Sequence, residues 1–464
     1  MNPSPSRTFL AAAVAATCGC AQLSGVDELT FGRSKATDAG TADVADAADE
    51  VDETGAADAA DEAEGGPLPV PFFGELQERC KLINGKSVKE PTANDTHYRA
   101  NLGGSSLGIA VPHADELYLF FGDTEGAHGI WPRPAASLPD AVGYSAVPYS
   151  SVAQDPSLLC SNLRFLLSEE KTGDVEADFA GVRMQPPAGH PISEFIHNPA
   201  GPYQYKTYPD MPGHIEVPSG AFSYGGSIYV FYTIADTNAK QVRGSYLAKW
   251  EAPSTGGKPE YRILYHVDQR FDGNGPLRGD FINIAALVEG DYLYLFGTGE
   301  YRASPVHLAR KLLSTLETEG GFESYDAATS SWGAADAPAD PIVATPNIGE
   351  LSVRHFPAIG RYVMLDQEWS LGNRIAARFA QKPEGPWSEA VTVATMTDPA
   401  FEEKYCCDDQ ECLGEQLIHC DQGGFFGTYM LPDVMVHPDA SFTITFTMST
   451  WEPYNVALMS ATFR

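Results

Sequence analysis

One strand pattern recurs five times along this chain, and it constrains the fold more than any other feature. Each copy starts with a strand of small and apolar residues, followed by a turn containing Gly or Asp and then an aromatic strand. A third strand, often with Ala after an apolar residue, comes later. A hairpin followed by a third strand is the smallest unit that can form a propeller blade. A blade buries its two faces only by packing against neighbouring blades. The pattern predicts an all-β, five-bladed β-propeller.

The spacing of the copies predicts where the propeller departs from regularity. The hairpins of the five copies cover residues 106–123, 219–232, 281–297, 351–365 and 433–446. The widest gap predicts an insertion near residues 125–215, between the first two blades. A β-sandwich also has alternating strands, but it does not explain a hairpin and a third strand that recur together.

The N-terminus predicts export. Arg7 precedes a short apolar run that ends in small residues and two cysteines. A run of this length is typical of a signal peptide and too short to span a bilayer. We expect a signal peptide of the lipoprotein type over residues 1–20 with lipidation at Cys20. Lipidation at Cys18, or ordinary cleavage that releases a secreted protein, remains open.

Residues 21–70 are expected to form an acidic, disordered tether, because Ala, Asp, Glu, Gly and Thr cannot bury enough apolar surface to offset the entropy of ordering. The propeller then occupies residues 71–464. This organisation predicts a protein of the cell envelope, at the outer membrane or cell surface, whose contact with the membrane is through the lipid alone. We expect a monomer.

The net charge of −32 limits the kinds of molecule that the protein is expected to bind. Nucleic-acid binding requires clustered Lys and Arg, so it is not expected. The charge favours neutral or cationic ligands. No cofactor is expected, and calcium is the ion that the acidic residues would suit.

Six cysteines follow the predicted signal peptide, and an even number is typical of disulfides in an exported protein. Cys80 and Cys160 are expected to pair. Cys406 and Cys407 are adjacent and cannot easily pair with each other, so each should reach Cys412 or Cys420. This predicts a disulfide-stapled loop before the last blade. The four cysteines and His419 could instead bind zinc, but their spacing matches no familiar zinc motif.

Carboxylates occur at equivalent positions of several copies. Glu216, Asp280 and Glu350 stand at the starts of three first strands, which line the channel of a propeller, and Asp123 ends a second strand. Converging carboxylates repel, which separates a proton donor from an ionised partner, as glycoside hydrolysis requires. Acidic residues before strands also cap turns, so each could instead be structural.

Other polar and aromatic residues are candidates for binding a substrate. The set comprises Asp95, Ser106, Glu350, Arg354, Tyr429 and Trp451. Arg354 lies on a first strand, on the same side as Ser352, and could face the channel. The rings of Tyr429 and Trp451 could contact a sugar or fill the core.

Several short motifs resemble those of the bacterial domain-of-unknown-function family 4185. They are 104–108 (Gly-Ser-Ser-Leu-Gly), 121–124 (Phe-Gly-Asp-Thr), 280–283 (Asp-Phe-Ile-Asn), 350–353 (Glu-Leu-Ser-Val), and the closing 449–451 and 453–456. The resemblance covers about residues 95–464. It implies a five-bladed propeller related to endo-D-arabinanases, which cut arabinan.

In that group the resemblance places working carboxylates in an Asp-Leu-Gly element and a Gly-Asp-Thr element. The second is present as Asp123, whereas the first has Ser106 in place of the aspartate. Serine cannot replace a carboxylate in protonating a leaving oxygen. The sequence therefore predicts either a glycoside hydrolase that uses Asp123 with Asp280 or Glu216, or a propeller that binds a glycan or protein without cleaving it.

Overall fold

The computed structural model describes most of the predicted domain. The described residues are 68–84, 92–100, 102–126, 140–166, 183–185, 215–236, 241–251, 260–270, 275–369, 373–407 and 412–464. The predicted signal peptide, Cys20 and nearly all of the predicted tether lie outside these ranges. Among the described helices, none has the length and hydropathy to cross a membrane.

Strands make up most of the described chain and nearly all pair antiparallel, in five successive meanders. The first meander consists of β2 (Leu102–His113), β3 (Glu116–Gly126), β4 (Val142–Ser145) and β5 (Leu163–Phe165). The second consists of β7 (Ile215–Tyr224), β8 (Ser227–Asp236), β9 (Gln241–Glu251) and β10 (Glu260–Gln269), with the short β6 (Arg183–Gln185) parallel to β10.

The third and fourth meanders are joined by pairing between β13 and β16. The third consists of β11 (Asn283–Glu289), β12 (Tyr292–Thr298), β13 (Ser304–Leu312), β14 (Phe322–Asp326) and β15 (Ser331–Ala334). The fourth consists of β16 (Val343–Phe356), β17 (Arg361–Glu368), β18 (Arg374–Ala380) and β19 (Val391–Thr395).

The fifth meander takes its outer strand from the other end of the chain. Its own strands are β20 (Gly424–Val436), β21 (Phe442–Trp451) and β22 (Val456–Phe463), and β1 (Phe73–Ile83) pairs with β22. Backbone bonds between Phe72 and Arg464 extend this pairing. Among the described residues, four short α-helices lie between strands: α1 (Thr96–Arg99), α2 (Tyr149–Gln154), α3 (Leu159–Asn162) and α4 (Pro399–Tyr405).

The first strands of the meanders contact one another in cyclic order: β2 with β7, β7 with β11, β11 with β16, β16 with β20, and β20 with β2. The approach is close. A Cβ on Gly220 of β7 would lie 2.4 Å from the carbonyl oxygen of Ile284 on β11, so only glycine fits there. Hydrogen bonds join the same strands, including one from the Met430 amide to Ser352 Oγ at 3.1 Å.

The hydrophobic core follows the same cyclic order. One cluster of buried side chains lies between each meander and the next, and one more lies between the fifth and the first. Full burial of a Leu, Val or Phe side chain contributes roughly 1.5–3 kcal/mol. The meanders therefore stabilise one another, as the sequence pattern predicts for units with two apolar faces.

Several boundaries differ from the sequence prediction. The first strand of the fifth copy begins at Gly424 rather than near Asp433, because two irregularities in its register break the simple alternation. The predicted insertion also contributes regular structure, since β4 and β5 complete the first meander. The alternation of such short strands is too brief to identify from sequence.

Three disulfides form in the arrangement that the sequence allows. Cys80 of β1 is bonded to Cys160 of α3, which ties the N-terminal strand to the first meander. Cys406 is bonded to Cys420, and Cys407 to Cys412, which staples the loop before β20.

Removal of the bond between Cys80 and Cys160 should destabilise the domain more than removal of the bond between Cys406 and Cys420. The two bonds span 80 and 14 residues, and the chain-entropy cost of opening a loop grows with its length. We expect losses of about 4 and about 3 kcal/mol in the free energy of unfolding of the double-alanine variants. Urea denaturation measures both. Equal or reversed losses would show that β1 is not held through its disulfide.

Candidate functional site at the mouth of the ring

The meander register brings several predicted residues to one rim of the structure. The starts of the first strands lie opposite the ends of the second strands, and we call this rim the mouth. The paired residues there include Ser106 with Gly122, Asn283 with Thr298, Ile348 with Glu368, and Gly424 with Trp451.

A buried ion pair lies at the mouth between the third and fourth meanders. Arg302 Nη2 donates to Glu350 Oε1 at 3.0 Å, and the two side chains are 7% and 10% exposed. Arg302 occupies the turn between β12 and β13 with a φ of 55°. A non-glycine residue in this left-handed conformation costs about 1–3 kcal/mol and is often found at functional sites.

Aromatic rings hold Arg302 in place. Its guanidinium carbon lies 3.7 Å from the ring centre of Trp369 and 4.5 Å from that of Tyr301. Trp369 is also stacked on Trp451, with centres 5.5 Å apart and planes 9° apart, and the guanidinium carbon of Arg302 lies 5.8 Å from the ring centre of Trp451. Both tryptophans and Tyr301 therefore help to fix Arg302.

Several buried polar atoms of this cluster make no hydrogen bond to the described part of the chain. They are Arg302 Nε and Nη1, Glu350 Oε2, Trp369 Nε1, Tyr429 Oη and Trp451 Nε1. A buried polar group left unpaired costs about 1–3 kcal/mol. Burial, with the charge of Glu350 in addition, raises the pKa of Tyr429 well above its ordinary value, so its hydroxyl stays protonated at neutral pH. The cluster thus holds unpaired donors and an unpaired acceptor, all of them buried.

Ser106 and Asp123 occupy the mouth of the first meander. Ser106 is buried, and its hydroxyl donates to the carbonyl oxygen of Gly122 at 3.0 Å. Asp123 follows with a φ of 46° and is partly exposed. A Cβ on Gly122 would lie 3.4 Å from that of Val217, so Asp123 and the backbone of Glu216 belong to adjoining parts of the rim. The side chain of Glu216 lies outside the described residues.

Asp280 ends a loop that another carboxylate organises. Asp268 is buried and accepts hydrogen bonds from the amides of Leu277 and Phe281 at 3.1 and 3.0 Å. Asp280 itself is partly exposed. Burial lowers the pKa of His307 on β13, and the charge of Asp280 opposes this shift. Asp280 thus lies near the third strand of its own meander.

Two predicted residues lie away from this cluster. Asp95 precedes α1 and follows Asn94. The side chain of Asn94 donates a hydrogen bond to Leu159 O and accepts one from the amide of Leu163, so both residues lie beside the outer strands of the first meander. Arg354 lies farther along β16, inside the ring, where it donates to the carbonyl oxygens of Met430 and Ala110. Of the predicted residues, Glu350, Tyr429 and Trp451 lie together in the structure. Arg302 and Trp369, which the sequence analysis did not identify, belong to the same cluster.

The stapled loop supports the turn that carries Trp451. The amide of His419 donates to Glu452 O at 2.9 Å, and Asn455 Nδ2 donates to Leu417 O at 3.1 Å. Cys407, Cys412 and His419 are close enough to share a metal ion, but the two sulfurs are joined in a disulfide. A disulfide sulfur is not a thiolate, the form that binds zinc.

The sequence and the fold were compared with those of known proteins. A family profile described as a domain of unknown function, DUF4185, matches residues 91–460. The chain belongs to the DUF4185 family. No protein of curated function matches the chain in sequence.

Among solved structures, a candidate hydrolase from Bacteroides ovatus superposes with a TM-score of 0.50 at 15% identity, covering 79% of this chain and 87% of that one. The α-L-arabinofuranosidase PaAbf62A from Podospora anserina has a TM-score of 0.40 at 10% identity, with 86% and 98% covered. The Bacillus subtilis arabinanase Arb43A has a TM-score of 0.37 at 12% identity, with 77% and 95% covered. At these identities only the first comparison indicates a shared fold, and none of them establishes an activity.

Replacement of Arg302 by Met should destabilise the DUF4185 domain by about 3–5 kcal/mol, because it leaves the Glu350 carboxylate buried without its cation. The double variant Arg302→Met with Glu350→Gln should recover most of the loss, since no unpaired charge remains. Urea denaturation of both variants measures this. A double variant as unstable as the single one would show that the ion pair is not the dominant interaction of Arg302.

The loop before Asp280 should make stability depend on pH. Burial raises the pKa of Asp268 to about 6, and bonds from backbone amides oppose the shift. The ordinary value near 4 applies to the unfolded chain, so the folded state binds the proton more tightly. Protonation of Asp268 therefore stabilises the folded state fully below pH 4. This contribution to the free energy of unfolding, up to about 3 kcal/mol, is lost as the pH rises to about 6.

The variant Asp268→Asn should therefore lose less stability than the native chain between pH 4 and pH 7. Asp291→Asn, in an exposed turn, is the matched control and should keep the native slope. A remaining slope is expected from Asp366, whose pKa burial raises to about 7. An unchanged slope in Asp268→Asn would contradict this account.

Proposed function

We propose that this chain is a closed, five-bladed β-propeller of the glycoside-hydrolase type that acts on a polysaccharide at the mouth. The cyclic contacts of β2, β7, β11, β16 and β20 support closure, as do the five clusters between successive meanders. Each meander then corresponds to one blade, and β1 completes the last one.

The proposal of a polysaccharide ligand rests on the unpaired polar atoms around Arg302 and Glu350. The pair has no net charge, and it presents donors on Arg302 beside an acceptor on Glu350. A sugar hydroxyl both donates and accepts, so neighbouring hydroxyls of a neutral sugar complement this arrangement. Burial of the pair makes each such bond stronger than it would be in water.

The reaction requires two carboxyl groups on opposite sides of the scissile bond. In our proposal Asp123 is one, and Asp280 or Glu216 is the other. One protonates the leaving oxygen, and the other attacks the sugar or activates water. Glu350 and Arg302 then bind the sugar next to the bond that breaks. Arabinan is the first substrate to test, because the family resemblance points to it.

A second candidate is a propeller that binds a glycan without cleaving it. Ser106, which stands where the resemblance places a carboxylate, is buried and bonded to Gly122 O. It has no acidic proton to give. The mouth cluster involves no part of Ser106, so binding could persist without hydrolysis.

The remaining expectations complete the proposal. The predicted signal peptide and lipid at Cys20 would hold the domain at the cell envelope, and residues 21–70 would let the mouth reach the polysaccharide. No described residue bears on this part.

The test is incubation of the purified domain with arabinan and a panel of other glycans, followed by measurement of new reducing ends. Hydrolysis should fall roughly 10²–10⁴-fold in Asp123→Asn, because a general acid–base group is lost. Asp291→Asn, on the opposite rim, should retain full activity. Binding of a glycan without new reducing ends would select the second candidate, and neither binding nor cleavage of any glycan would refute both.

A further inference from the structure

A small cavity lies inside the ring of first strands, deeper than the mouth. Its volume is about 20 Å³. Most of its lining is apolar, and the polar exceptions are Ser219, Ser352, Arg354 and Tyr429. A cavity of this size holds about one particle as small as a water molecule.

Arg354 brings a positive charge to this cavity. Its Nε donates to Met430 O at 3.3 Å and its Nη2 donates to Ala110 O, so the guanidinium spans from β16 to β20 and β2. Burial lowers the pKa of Arg354 to about 10, which still leaves it charged at neutral pH. Among the described residues, no carboxylate lies within ion-pair distance of Arg354.

The nearest acidic groups have other partners. Asp433, whose charge acts on Arg354, accepts a hydrogen bond from Tyr149, and Glu350, whose charge acts on Tyr429, is paired with Arg302. Arg354 is half-buried, and withdrawing a cation from water without a close counter-ion is costly. The carbonyl oxygens satisfy two donors of the guanidinium but do not neutralise its charge.

The other polar groups of the cavity are donors as well. Tyr429 Oη is buried and unpaired within the described chain, and its raised pKa keeps its proton in place. Ser352 Oγ accepts from the Met430 amide, so its own proton is available to a further acceptor. Ser219 Oγ donates to Phe231 O at 3.4 Å, a long bond that leaves it in reach of another group.

We infer that this cavity binds a monatomic anion, chloride under ordinary conditions, held by Arg354, Tyr429 and Ser352. A single small ion suits a space of about 20 Å³. The same donors exclude calcium from this position, because calcium binds oxygen acceptors and is repelled by the guanidinium. The ion joins the first, fourth and fifth meanders at the centre of the ring.

This inference does not depend on the proposed function. The first test is a crystal structure of the domain grown in sodium bromide, with data at the bromine absorption edge. We expect an anomalous peak within about 3.5 Å of the Arg354 guanidinium and of Tyr429 Oη. Ordered water at this position and no anomalous peak would overturn the inference.

The second test is thermal unfolding in sodium chloride against sodium gluconate at equal ionic strength, because gluconate is too large for the cavity. A ligand present at about ten times its Kd should raise the midpoint by about 2 °C. Arg354→Met should lose the difference between the two salts, and Arg361→Met, which removes a surface arginine of the same meander, should keep it. A native chain with equal midpoints in both salts would contradict chloride binding even if Arg354→Met fails to fold.

Discussion

The pairing of β1 with β22 is the interaction on which the rest of this structure depends. The two strands come from opposite ends of the described chain and complete the fifth meander. Each meander has two apolar faces and buries them only against its neighbours. With β1 in place, the fifth meander packs on the first through Leu82, Ile83 and Leu458, and the cycle of clusters is complete. The disulfide from Cys80 to Cys160 fixes the same junction.

The contacts between neighbouring meanders determine which residues meet at the mouth. Residues far apart in sequence, such as Arg302 and Trp451, become neighbours because the first strands of successive meanders contact one another. The cost of burying Arg302 and Glu350 is then offset by their ion pair and by the rings of Trp369 and Tyr301. A rigid frame can hold such groups ready for a ligand, because they cannot relax toward one another or toward water.

The repeat made the meanders and many site positions predictable. Equivalent positions of the copies identified Glu350 and Asp123, and the ends of second strands also include Trp369 and Trp451. Trp369 could have been found by extending the same comparison. Arg302 could not, because it belongs to a turn whose conformation the repeat does not specify. The role of β1 was also hidden, since its partner lies at the far end of the sequence and outside the repeat.

The central claim is that the unpaired groups around Arg302 and Glu350 bind a sugar. A crystal structure of the domain soaked with an oligosaccharide of the glycan that it binds tests this most directly. The account predicts one sugar residue with neighbouring hydroxyls bonded to Glu350 Oε2 and to Arg302 Nη1. A sugar bound only elsewhere on the surface, with the Arg302 cluster unchanged, would contradict it.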